Sequence, residues 1–271
     1  MQPRSLATRT DLIFHRFGGT VTDRGEYLVI RTPGNPGYRW GNYLLFQDPP
    51  RPGDLGRWTE LFAREVGTPP GTTHQVFAWD SPQGEPGAAS EFQAARFRLD
   101  ESVVLSAAPE DIVTPPRYNH EVVIRPLAGD REYEQAVEVA VAGRDPWADE
   151  EGYRDFSRRK FHEYRRMNAA GLGDWFGAFL GERLVAQCGL YQDGDLARYQ
   201  AVDTHPDYRR RGICSTLIHQ VALHGIERMG VNKLVIMADE HYFAKDIYQS
   251  VGFHRAERRV GLEKYPGLPV G

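Results

Sequence analysis

Arg209-Arg210-Arg211-Gly212-Ile213-Cys214-Ser215 sets three guanidinium groups beside a glycine where the strand-like Tyr199-Gln200-Ala201-Val202 gives way to a helix-periodic stretch. The chemistry this predicts is anion binding. The first N–H groups of a helix have no intrahelical partner and the helix dipole is positive at that end, so a phosphate can dock there. Gly212 carries no Cβ and would let a phosphate approach the backbone closely. The arginines add long-range attraction and bidentate contacts. A solvated basic turn is the plain alternative. Neither Gly-x-x-x-x-Gly-Lys-Ser/Thr nor Gly-x-Gly-x-x-Gly occurs, which excludes a triphosphate loop and a dinucleotide fingerprint and leaves a diphosphate site of another kind.

At this strand, turn and helix the sequence resembles the GNAT superfamily of acyl-CoA-dependent N-acyltransferases, whose signature is Arg/Gln-x-x-Gly-x-Gly/Ala. Arg209, Gly212 and Cys214 occupy its three positions, with Cys214 a small departure from Gly/Ala. Val202-Asp203-Thr204-His205-Pro206-Asp207-Tyr208 resembles the strand end and proline turn that lead into it. Ile247-Tyr248 followed by Val251-Gly252-Phe253 resembles the second signature, a helix that carries a tyrosine and ends at Gly-Phe. The resemblance implies an acyl-CoA cosubstrate, most simply acetyl-CoA, with its diphosphate on Arg209, Arg210, Arg211, Gly212, Ile213, Cys214 and Ser215. Its pantetheine arm would run along Val202, Asp203 and Thr204 and reach Tyr248.

Acyl transfer to an amine raises two proton problems. An alkylammonium of pKa ~10 is almost wholly protonated at neutral pH, a handicap of roughly 4 kcal/mol that a base must offset. The departing thiolate must also gain a proton. The resemblance implies Tyr248 as that acid; the alternative is a core aromatic beside Phe243, Ala244, Ile247 and Val251. For the base, Glu240 is the first choice and Asp203 the second. Asp239, Glu240 and His241 stand where many relatives carry an asparagine, and a water chain is a further option. A covalent Cys214 intermediate ranks low, because that position should face the diphosphate. The competing class is a non-catalytic acyl-CoA-binding module or sensor.

The elements that must position these groups are legible in the second half. Glu121–Leu127 predicts a strand, residues 130–142 and 153–170 helices, and 175–180, 183–191 and 196–202 an antiparallel meander. A helix over 213–229 stopped by Gly230, a buried strand at 233–237, a short helix at 243–250 and a terminal strand from Phe253 complete it. This order matches the GNAT fold over about Glu121 to Lys264. The fold class is α+β with a mixed sheet, divided into residues 1–114 and a catalytic unit at 119–265, with Pro115-Pro116 as linker. Thirteen of the eighteen prolines precede Tyr118, so the first half is loop-rich. It holds strands at 27–30, 42–46, 75–79 and 103–105 and helices at 54–66 and 88–98, and from Leu44-Leu45-Phe46 onward these repeat the element order of residues 199–262. The first half thus reads as a degenerate GNAT-like copy. Its turn, Arg51-Pro52-Gly53-Asp54, loses amide donors to proline and carries an acid where phosphate should sit, so no coenzyme is expected there.

A net charge of −4 and a pI near 6.2 argue against a nucleic-acid binder and make the arginine cluster a local site. No apolar run approaches the ~18 residues of a membrane span and no signal-peptide core follows Met1, so the cytoplasm is the expected compartment. The two cysteines, Cys188 and Cys214, have neither Cys-x-x-Cys nor paired-histidine spacing, which predicts no disulfide framework and no metal. His219 and His224 fall on different helix faces. The acceptor is expected to be a small-molecule or peptide amine, and a homodimer is compatible with the sequence. The basic run Arg158, Arg159, Lys160, Arg165 and Arg166 suggests a solvated face or an acidic acceptor, whereas Trp147, Asp149, Glu150 and Glu151 suggest a cationic one.

Overall fold

The computed structural model describes residues 1–146 and 148–268. In chain order the elements are α1 (Leu6–Gly18), β1 (Thr20–Asp23), β2 (Tyr27–Arg31), β3 (Tyr43–Phe46), α2 (Asp54–Glu65), β4 (Gln75–Trp79), α3 (Ala89–Ala94) and β5 (Arg98–Ala107). There follow β6 (Val123–Pro126), α4 (Gly129–Gly143), α5 (Glu150–Ala169), β7 (Gly173–Leu180), β8 (Arg183–Asp193), β9 (Leu196–Thr204), α6 (Ile213–Met229), β10 (Lys233–Asp239), α7 (Ala244–Gln249) and β11 (His254–Lys264). The chain forms two compact units. Residues 1–104 fold together with residues 257–268, and residues 105–256 form the other, of the residues described.

In the first unit the strand order is β1-β2-β3-β4-β11-β5. The terminal strand predicted for the second half therefore lies in the first unit's sheet, where Gly261 and Leu262 pair antiparallel with Ala78 and Phe77. Apolar side chains at Trp58 and Phe62 on α2 meet Phe46, Phe77 and Phe92, with Phe46 stacked on Trp58 at 3.7 Å. Helix α1 and strand β1 lie where the sequence suggested no element. Ser5 caps α1 by accepting from the Thr8 N–H, and two carboxylates complete that end. Asp80, fully buried, accepts from Ser5 N at 3.0 Å and Ser5 Oγ at 2.6 Å, and Glu257 accepts from Leu6 N at 2.8 Å. Helix α3 is shorter than expected because Arg96, with φ 67°, is left-handed and ends the turn.

In the second unit the order is β10-β9-β8-β7-β6, antiparallel from β6 to β9 and parallel between β9 and β10. The element order predicted for this half is present, and α6 spans the predicted residues. Gly212 precedes it at φ 75° and Gly230 ends it at φ 71°, left-handed positions that favour glycine. Helix α5 begins at Glu150, three residues early, because Asp149 caps it by accepting from Gly152 N at 2.7 Å. The echo between the halves has a geometric form. Strand β3, Gly53 at φ 86°, helix α2 and the parallel strand β4 repeat the sequence of β9, Gly212, α6 and β10.

Candidate active site

Two irregularities in β9 make the site. Its pairing with β10 covers only Lys233↔Leu196 to Val235↔Arg198, so the strands part and Tyr199–Thr204 keeps a backbone edge that β10 does not use. An extended ligand with amide groups can add to such an edge as a strand would. The second irregularity is a bulge. Gln187 faces Asp203 and Gly189 faces Gln200, so three steps on β9 answer two on β8, with Ala201 left-handed at φ 43°. The extra residue shifts the alternation and brings Gln200 and Asp203 to one face. Gln200 there donates to the Tyr164 hydroxyl at 3.0 Å.

Asp203 sits against Gln187, which is fully buried. The indole N–H of Trp175 donates to Gln187 Oε1 at 3.1 Å, which fixes the amide so that Nε2 donates to Ala136 O at 2.9 Å and to Asp203 Oδ2 at 3.4 Å. Desolvation raises the Asp203 carboxyl to about 7, against the opposing pull of the Gln187 hydrogen bond and the Arg209 charge. A carboxylate half ionised near neutrality suits a general base. Glu240 differs: Arg255 Nη2 lies 2.9 Å from both of its oxygens, so the carboxylate is engaged in an ion pair.

Tyr248 is 4 % exposed, and burial holds its hydroxyl well above the usual phenol range, with Cys214, Cys188 and Asp203 as charged-form neighbours acting in the same direction. The hydroxyl stays a proton donor at any physiological pH. Burial likewise pushes the Cys214 thiol up to about 12, against the hydrogen bond from the Thr204 side. That thiol is a poor nucleophile at neutral pH.

Next to this cluster lies the basic turn. Arg210 adopts φ 62°, and the turn runs into Gly212 and the first turn of α6. Backbone N–H groups in such alternating conformations form an anion-binding concavity. Arg209 Nε donates to Thr204 O at 3.2 Å and Arg211 Nη2 to Asp207 O at 3.3 Å. The absence of a Cβ at Gly212 also serves the protein itself, since an added Cβ would lie 2.5 Å from Arg117 O. In the first unit the equivalent helix start is occupied by acids: Glu91 accepts from Gly53 N at 3.0 Å and Asp54 from Arg51 N at 2.8 Å.

Several of the charges that sequence offered as acceptor determinants are held in ion pairs with neighbouring side chains. Arg158 and Arg165 of α5 pair with Glu134 and Asp130 of α4 at 3.4 and 2.7 Å, and buried Lys160 pairs with Glu163 at 3.2 Å. Arg144 pairs with Glu150 at 2.7 Å. Trp147 lies outside the described residues. His219 packs edge-on against Tyr118, and its burial lowers its pKa. Among the described residues no group of three metal-binding side chains occurs, and no helix is long and apolar enough to cross a membrane. Gln187 and Trp175, which sequence reading passed over, are uncharged; the only available sign was a glutamine in an otherwise apolar strand.

Residues 140–253 match the family model described as Acetyltransferase (GNAT) family. None of the curated proteins matches the chain. A functionally unknown conserved protein from Staphylococcus epidermidis shares the fold at a TM-score of 0.72 and 12% identity, over 92% of this chain and 94% of that one. A GCN5-related N-acetyltransferase from Kribbella flavida does so at 0.65 and 14%, over 97% of each chain. A tandem GNAT protein from the clavulanic acid biosynthesis pathway does so at 0.54 and 13%, over 83% of this chain and 74% of that one.

Proposed function

We propose that this protein transfers an acetyl group from acetyl-CoA to a primary amine of a small-molecule or peptide acceptor by direct attack, a reading supported by the match of residues 140–253 to the GNAT acetyltransferase family model. The observation that carries the reading is the notch where β9 leaves β10, with the arginine turn at one end and Asp203 and Tyr248 beside it. The diphosphate sits on Arg209 to Ser215, and the pantetheine amides pair with the exposed edge at Val202 to Thr204. Asp203, rather than the ion-paired Glu240, takes the ammonium proton, directly or through water. Tyr248 returns a proton to the thiolate. The second half of the chain is the catalytic one, and the first half binds no coenzyme.

Purified protein given acetyl-CoA and a mixed panel of amines should release free thiol, and release should fall sharply in Tyr248→Phe and in Asp203→Asn. Tight coenzyme binding without turnover on any amine would instead favour a sensor.

A further inference from the structure

The segment read as a linker is fastened to the basic turn. Arg117 Nη2 donates to Arg210 O at 2.8 Å, Ser215 Oγ donates to Arg117 O at 2.9 Å, and the Arg117 Cβ stands 3.5 Å from the position of a Cβ at Gly212. Two residues on, Asn119 N donates to Thr216 Oγ1 at 2.8 Å and Asn119 Nδ2 to Arg211 O at 3.0 Å. Asn119 Oδ1 accepts from Glu121 N and Val122 N, and the Tyr118 hydroxyl accepts from Gln220 Nε2 at 2.7 Å on α6. Residues 117–122 are therefore held against the start of α6 from both sides.

This brings a fourth guanidinium to the turn. Arg117, Arg209, Arg210 and Arg211 all carry exposed side chains, and among the described residues none of them is in an ion pair with a carboxylate. Elsewhere the chain pairs arginines freely, as at Arg125–Glu132, Arg144–Glu150 and Arg255–Glu240. Three cations without a carboxylate partner, and Arg209, whose charge also acts on Asp203, surround one turn with helix and loop N–H groups and form a site for more than one phosphate.

We infer that Arg117 is a coenzyme-binding residue, supplied to the phosphate turn by the segment joining the two halves. Its target is a phosphate of the coenzyme, either the diphosphate or the 3′-phosphate. The inference rests on the proposed acyl-CoA site, and it extends that site beyond the residues of the family signature.

The test is calorimetric titration of the full-length protein with CoA, using wild type, Arg117→Gln and Arg117→Lys. Glutamine keeps a donor for Arg210 O and removes the charge. Binding should weaken about three- to tenfold in Arg117→Gln, recover most of that loss in Arg117→Lys, and depend less on salt in the glutamine variant. Repeating the titration with 3′-dephospho-CoA locates the contact. A glutamine penalty that persists assigns Arg117 to the diphosphate, and one that vanishes assigns it to the 3′-phosphate. Equal CoA affinity in wild type and Arg117→Gln would overturn the inference and leave the acyl-CoA site standing. A wild type that binds no CoA would overturn both.

Discussion

At Asp203 two influences oppose each other: removal from water favours the neutral acid, and the Gln187 amide and Arg209 favour the anion. The balance lies near 7, and keeping the carboxyl there costs stability. Its carboxyl titrates at about 7 in the fold against an ordinary value of 3.8, so the fold prefers the protonated form. The stability it contributes is complete below the lower value and is lost as pH rises through the upper one. Asp203→Asn should therefore gain in Tm over wild type progressively from about pH 4 to pH 7 and hold a constant advantage above, by calorimetry in parallel buffers. The same variant should lose about 10²-fold or more in kcat and lose the ascending limb of the pH–rate profile near 7. Gln187→Met removes a donor to the carboxylate, so that limb should move to higher pH. A limb that stays in place would separate Gln187 from the base. Tyr248→Phe should lower kcat by about 10²-fold on the proton-donor reading, and a change of less than twofold would make it a core aromatic. That Tyr248 lies on a short helix before Gly252-Phe253 was legible from the spacing. The ion pair of Glu240 with Arg255 and the uncharged amide of Gln187 against Asp203 were not legible, because both depend on long-range contacts.

At the level of elements, the bulge in β9 decides what Asp203 can face. Ala201 holds a left-handed φ of 43° that costs a non-glycine residue about 1–2 kcal/mol and a β-branched one more. Ala201→Val should destabilise the protein by about 1–2 kcal/mol in chemical denaturation and reduce turnover by disturbing the alternation. Ala201→Gly should keep both. A valine variant as active and stable as wild type would remove the bulge from the explanation. Helix α6 was readable in the sequence because its apolar spacing and its two bounding glycines are local signals. The bulge was not, since alanine gives no hint of φ > 0. Helix α1 was missed for a related reason: its end is completed by Asp80 and Glu257, residues far away in sequence.

On the scale of the molecule, the first unit is not a continuous piece of chain. Strand β11 pairs with β4, Glu257 caps α1, Arg259 lies 3.7 Å from Asp11 and 3.6 Å from Asp100, and Val260 and Leu262 are fully buried. A chain stopped after Ala256 should expose the apolar face of β4 and lose order in residues 1–104, seen as new protease cuts there by mass spectrometry. Unchanged protection would mean that the first unit stands without its last strand. Sequence reading gave the strand its position and type, but its sheet partner is a long-range choice that no local pattern encodes.

That discontinuity sets an order of events during synthesis. On that expectation residues 1–104, although made first, complete their sheet only once β11 has left the ribosome. The half made first is the half finished last. Its β4 edge stays unpaired in the interval, the kind of exposed strand that chaperones hold and that aggregates when expression outruns folding.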